Sequence, residues 1–340
     1  MNYYNQNSPG GPRAPTPYQA PPQNRKDPIK KALRKNANII GFGMLLQYGL
    51  SIVVVFAISL LVGIFFYGRM TQDGYYIYEN ILSLIAYTAG FVVPIIIMVV
   101  WIRIPKDIAF PMKPPKMSLL IPGIFFCLGM SIVGVYLSDF LSRVIQLVFG
   151  LTPTMPDMSA PEQPVSIFVY CINLIIAPAF LEEMMFRGVI MQSLRRFGDG
   201  FALVVSSILF AMAHGNLVQG PNTLIMGLVM GYMVLRTGSL WTGIIIHFIN
   251  NGVAVLLELT MRFTTPEQDQ MINTVMLAVY VLGGLISLAY LMMKNNNMFR
   301  IAPSPLPMSE GKKHLYFFTS IMPIILLAVT VFITSQYLVP

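Results

Sequence analysis

The feature that most constrains this chain is a succession of long apolar runs separated by short polar loops. They fall near residues 39–68, 80–102, 117–149, 165–195, 201–214, 222–236, 240–258, 271–293 and 315–338. A bilayer core is crossed by about 20 apolar residues in a helix, because only a helix or a closed barrel satisfies its own backbone without water. Hydrophobic residues make up 55% of the chain and charged residues 11%, less than half the charged share of an ordinary soluble domain. The pattern predicts an all-α, polytopic transmembrane helix bundle of eight or nine spans. The runs at 201–214 and 222–236 are short for a crossing, so they are expected inside the bundle or beside a cavity.

Charge sets the expected orientation. Residues 1–24 are rich in Pro, Asn, Gln and Gly and hold too few aliphatics for a core, so a disordered tail is expected. Arg25, Lys26, Lys30, Lys31, Arg34 and Lys35 follow, extending that tail to residue 36 as a basic, cytoplasmic segment beside the membrane. With the N-terminus inside, Lys and Arg cluster at 103–116, 195–196, 236 and 294–313. The outer loops and span ends then carry only Arg69, Arg143 and Arg262. The net charge of +8 is therefore a topogenic signal, and nucleic-acid binding is not expected. Four parts follow: a tail (1–36), N-terminal membrane helices (37–150), a bundle at 165–258 that holds the unusual residues, and C-terminal membrane helices (271–340). Cys127 and Cys171 sit in apolar runs and read as small buried hydrophobes.

Ionisable residues inside spans cost roughly 2.5–3.5 kcal/mol each on insertion scales and mark functional sites by default. Leu181-Glu182-Glu183-Met184-Met185-Phe186-Arg187 is the densest group. Glu183 and Arg187, four apart, can pair on one helix face. Glu182 diverges from Arg187 by about 140° and is left to face something else; a carboxylate in an apolar site is suited to act as a general base on water. The second group is Phe210-x-x-x-His214. The third is His247-x-x-x-Asn251, on one face, with Asn250 expected to point elsewhere. The third histidine, His314, is expected in a basic loop, in solvent. Pro178 is expected to kink the helix before Glu182. Asp139 and Arg143 should form a local ion pair, and Gly188, Gly227, Gly231 and Gly243 should permit close helix packing.

Depth brings the three groups together. Glu182 and His214 each lie 16 residues from Gly198, on opposite sides of the turn, so both reach about 24 Å from it. From the turn at 237–239, His247 lies about 13 Å in and Asn251 about 20 Å in. An ion path would string such groups across the bilayer, whereas these share essentially one layer.

Glu182-Glu183-x-x-x-Arg187, Phe210-x-x-x-His214 and His247-x-x-x-Asn251 resemble, in order, the three motifs of the CPBP family of intramembrane proteases, which includes type II CAAX prenyl endopeptidases, bacteriocin-processing proteins and lysostaphin-resistance-like proteins. The resemblance covers residues 165–255. It implies an intramembrane endopeptidase acting on a membrane-associated peptide or a lipidated protein, in contact with membrane lipid, with a bacterial plasma membrane expected. Nothing in the sequence sets an oligomeric state. The resemblance makes Glu182 the base, His214 its partner, His247 and Asn251 the oxyanion stabilisers, and Glu183 and Arg187 the supporting pair. The family is often described as metalloproteases, and Glu182, His214 and His247 are the available ligands for Zn2+. No HExxH is present, and activation of water without metal fits the same residues. A non-catalytic scaffold or immunity protein that binds a membrane partner is the alternative.

Overall fold

The computed structural model describes residues 26–66, 71–294, 297–304 and 306–340. The segment expected to be a disordered tail, residues 1–24, and the outer Arg69 lie outside these residues. Helix dominates, as apolar sequence in lipid requires. Helix α1 spans Lys26–Phe66, α2 Gln72–Ile102, the short α3 Lys106–Ala109 and α4 Met117–Phe149. The next run, Pro164–Phe197, is continuous but changes winding along its length. After it come α8 (Asp199–Ala213), α9 (Gly220–Thr237), α10 (Leu240–Thr260), α11 (Pro266–Lys294), α12 (Glu310–Phe318) and α13 (Ile321–Ser335). The described strands are Thr152–Pro153 (β1) and Leu338–Val339 (β2), an antiparallel pair that joins the loop after α4 to the C-terminal end.

The span count is close to the one expected. Among the described residues, six helices are long and apolar enough to cross a membrane, or seven if α12 and α13 act as one span. The two runs removed are 201–214 and 222–236. Helix α8 has 15 residues, about 22 Å of helix against a hydrocarbon core of about 30 Å, and its side chains are mostly buried. Helix α9 carries Gly220, Asn222, Thr223 and Arg236 within its 18 residues. The pair packs together as an internal hairpin. The run expected as a single span at 315–338 is also broken, with α12 and α13 bent by 71°. Pro323 is the reason: in the first turn of α13 its missing N–H costs nothing, whereas inside a continuous helix it would remove a backbone hydrogen bond.

Of the basic stretch expected within the tail, Lys26 to Lys35 form the first turns of α1, and Arg25 lies outside the described residues. Leu33, Asn36, Ala37 and Ile40 are buried at helical spacing, which gives this segment a packing face. The Lys30 ammonium and the Arg34 guanidinium lie 4.8 and 5.6 Å from the Tyr316 ring centroid. His314 is likewise not a loop residue: it sits on α12 with its ring 5.0 Å from that of Phe201. Further along α1, Ile52, Phe56, Leu60 and Ile64 are more than half exposed, a face that lipid solvates and water would not.

One turn shows why glycine is needed where the Pro164–Phe197 run reverses into α8. Gly198 precedes α8 with φ +128°, and a Cβ there would meet the Ser304 side chain at 2.9 Å, so glycine is required by conformation and by space. Asp139 and Arg143 form the local pair expected, 2.8 Å apart at the exposed end of α4.

Candidate active site

The helix that carries the acidic pair is wound unevenly. Helix α5 (Pro164–Cys171) passes into a π-helical stretch at Ile172–Ile176, then α6 (Ala177–Glu183), a second π-helical stretch at Met184–Ile190, and α7 (Met191–Leu194). Such wide turns frequently mark functional sites. Pro178 sits where the first gives way to α6. Having no N–H, it cannot serve the Leu174 carbonyl four residues back. Asn251 on α10 does so instead, its Nδ2 donating to Leu174 O at 2.9 Å. The irregularity thus supplies the anchor that orients Asn251.

Behind the cavity lies a buried cluster. Glu183 is fully buried and Arg187 is 1% exposed. An Arg187 guanidinium N–H donates to Glu183 Oε1 at 2.7 Å, and His247 Nδ1 lies 3.0 Å from the same oxygen. With Glu183 ionised against arginine, Nδ1 must be the donor. The guanidinium carbon sits 4.1 Å from the centre of the Phe210 ring, and that ring also meets His214 edge-on at 5.0 Å and His247 at 6.0 Å. Phe210 is therefore the apolar hub on which the cation and both imidazoles pack. Gly243 makes room for the cluster, since a Cβ there would collide with the Glu183 carboxylate.

Glu182, Phe210, His214, His247 and Asn251 all line one cavity of about 400 Å³. The side chain of Glu182 is 12% exposed against 0% for Glu183, the divergence expected from the spacing. Its Oε1 accepts from the Tyr87 hydroxyl at 2.6 Å. Its Oε2 is buried with no hydrogen-bond partner among the described residues and lies 3.8 Å from His247 Nε2. His214 ends α8, with Nδ1 2.9 Å from the Phe210 carbonyl. A carbonyl only accepts, so Nδ1 carries a proton, and in the neutral ring the lone pair is on Nε2. No hydrogen bond joins His214 to Glu182 among the described residues.

Asn250 does not point elsewhere. It lines the same cavity and donates from Nδ2 to Asn251 Oδ1 at 3.2 Å. The reason is that 247, 250, 251, 254 and 255 form a single i, i+3, i+4, i+7, i+8 stripe, all of it on the cavity wall. Several further lining residues carry no motif: Ser83 and Tyr87 from α2, Asn173 from the first π-helical stretch, Gln219 in the turn before α9, Asn222 and Thr223 on α9, and Met158 from the loop after β1. That loop is pinned over α10: Ala160 N–H and the Tyr170 hydroxyl both donate to the Glu258 carboxylate, at 2.7 Å each, and Arg262 donates to the carbonyls of Ala160 and Pro161. Among the described residues, no three His, Cys, Asp or Glu side chains converge as a metal-binding group. Glu182, His214 and His247 share a cavity wall without forming a three-donor set.

Fold and site together define an integral membrane helix bundle that keeps a carboxylate, two imidazoles and a carboxamide around one internal cavity. The chain belongs to the CAAX protease family. The family model described as "Type II CAAX prenyl endopeptidase Rce1-like" matches residues 164–253, a window that contains all three motifs. "Membrane-embedded CAAX protease MroQ" of Staphylococcus aureus (strain USA300) is 30% identical over 201 residues, covering 56% of this chain and 76% of the relative. "Putative membrane peptidase YdiL" of Bacillus subtilis (strain 168) is 22% identical over 196 residues, covering 56% and 77%. No solved structure matches.

Proposed function

We propose that the chain is an intramembrane endopeptidase that hydrolyses a peptide bond of a membrane-associated peptide or protein, with water activated by Glu182 and His214. One observation carries the reading: Glu182 Oε2 is buried without a partner among the described residues, in a cavity wall it shares with His214, His247 and Asn251. A buried oxygen left unpaired is costly, and an acceptor that receives a proton from a cavity water resolves that cost.

The chemistry follows from the donors and acceptors. Glu182 Oε2 takes a proton from water as the water oxygen attacks the carbonyl carbon of the substrate. His214 Nε2 holds a lone pair and is the second acceptor on the wall. The carbonyl oxygen becomes an oxyanion, which needs donors positioned in advance. Asn251 spends one amide N–H on Leu174 and keeps the other. His247 already donates from Nδ1, so its Nε2 donates only as the imidazolium, whose charge Glu183 faces at 3.0 Å. The C–N bond then breaks and the proton held by Glu182 passes to the leaving amine, giving a carboxylic acid and an amine. The N-terminal side is proposed to be cytoplasmic, on the Lys and Arg asymmetry of the loops.

The test is cleavage of a panel of quenched peptides, soluble and lipid-anchored, by the purified protein, Glu182→Ala and His214→Ala. The reading expects at least one peptide to be cut by the wild type and by neither variant. Cleavage that survives both changes, or a wild type that binds peptides and cuts none, contradicts it.

A further inference from the structure

We infer that Tyr87 is a positioning residue for the base: its hydroxyl occupies Glu182 Oε1, so that Oε2 alone is offered to the cavity. The inference rests on the role given to Glu182 above. Tyr87 lies on α2, outside the three motifs and outside the matched window of residues 164–253.

The geometry is specific. An ionised carboxylate only accepts, so the phenol donates, and at 2.6 Å this is a short, charge-assisted bond of the stronger kind. The phenol ring is held in place by packing, tilted 40°, at 4.7 Å against Phe91, which is 2% exposed. Helix α2 is itself fastened to the catalytic helix by a second polar contact, from Asn173 Nδ2 to the Asn80 carbonyl at 2.9 Å. Two turns of α2 separate these contacts, which lie on either side of Pro178 in the sequence of the catalytic helix. The rotation of Glu182 is therefore set by a rigid neighbouring helix and not by its own uneven one. The titratable groups around Glu182 are the Tyr87 hydroxyl on Oε1, His247 Nε2 at 3.8 Å from Oε2, and His214 on the shared cavity wall. Glu183 and Arg187 pair with each other behind it. Without the hydroxyl, the carboxylate is free to rotate and both oxygens compete for the same water and the same imidazole.

The experiment compares the full-length wild type, Tyr87→Phe and Glu182→Ala in detergent, with two readouts. In the first, Tyr87→Phe lowers kcat by about 10- to 100-fold with KM within about twofold, and the acid limb of its pH–rate profile is displaced from that of the wild type. In the second, which needs no substrate, Glu182 is labelled with a hydrophobic carbodiimide over a range of pH and quantified by mass spectrometry, with Glu258 as the internal control. Tyr87→Phe displaces the labelling curve of Glu182 and leaves that of Glu258 in place. Wild-type kcat and pH profile in Tyr87→Phe, alongside an inactive Glu182→Ala, overturns the inference while sparing the base assignment. An active Glu182→Ala removes the base assignment, and the labelling curve then decides on Tyr87 alone. Superimposed Glu182 curves, or an equal change at Glu258 that marks a loosened fold, overturn the inference.

Discussion

Arg187→Met isolates the energetic centre of the site. The substitution keeps an unbranched side chain in the space but removes the charge. Glu183, fully buried, then loses a partner at 2.7 Å and keeps only His247. Removing one member of a buried ion pair costs about 3–5 kcal/mol, and loss of the cation stacked 4.1 Å from the Phe210 centroid adds up to about 2 kcal/mol. At roughly 2 °C per kcal/mol for a chain of this size, the midpoint of thermal unfolding should fall by about 10 °C, read by size exclusion after heating in detergent. Arg187→Lys keeps the charge but not the planar fork and should fall between. The double variant Glu183→Gln with Arg187→Met leaves no uncompensated buried charge and should recover at least half of the loss. A single variant within about 2 °C of the wild type, or a double variant that is worse than the sum of its parts, refutes the claim that the pair is a mutually dependent buried unit.

Three further outcomes follow from the same geometry. Gly243→Ala pushes a methyl group onto the Glu183 carboxylate and should destabilise by about 1–3 kcal/mol and lower cleavage more than tenfold, seen in melting and in turnover of the best peptide. Pro178→Ala gives the Leu174 carbonyl an intrahelical donor that competes with Asn251, so cleavage should fall about tenfold while thermal stability holds or rises, as overpacking would not allow. Because Glu182, His214 and His247 form no three-donor group, cleavage should persist in excess 1,10-phenanthroline; loss that zinc restores would show that the cavity closes around a metal.

Much of the site was legible because its residues are expensive. Charges and imidazoles in apolar runs stand out, and helical rise alone brought Glu182, His214 and Asn251 to one depth. The Glu183–Arg187 pair and the turning away of Glu182 followed from their four- and five-residue spacings. What stayed hidden lacks such a signature. Tyr87 is one tyrosine among 16, and its partner is 95 positions away. Asn173, Gln219 and Asn222 are single polar residues, marked as cavity lining only by where their helices pack. Asn250 reaches the cavity through its i, i+3 relation to His247, which the i, i+4 spacing of the motif does not display. Helix α8 is apolar for a reason other than lipid, being wrapped by protein, as its shortness for a crossing implied. Pro178 marked an irregular stretch, seen as a change of winding in a continuous helix, but the capture of the Leu174 carbonyl by Asn251 joins residues 77 positions apart.

The most direct test of the central claim, that Glu182 directs a water onto the substrate carbonyl, is a single turnover with enzyme in excess in oxygen-18-labelled water. The account predicts one heavy oxygen in the new carboxyl terminus of the product and none in Glu182. A product without label, with the heavy oxygen found in the Glu182 carboxylate, would mean that the glutamate attacks the substrate itself and would contradict the account.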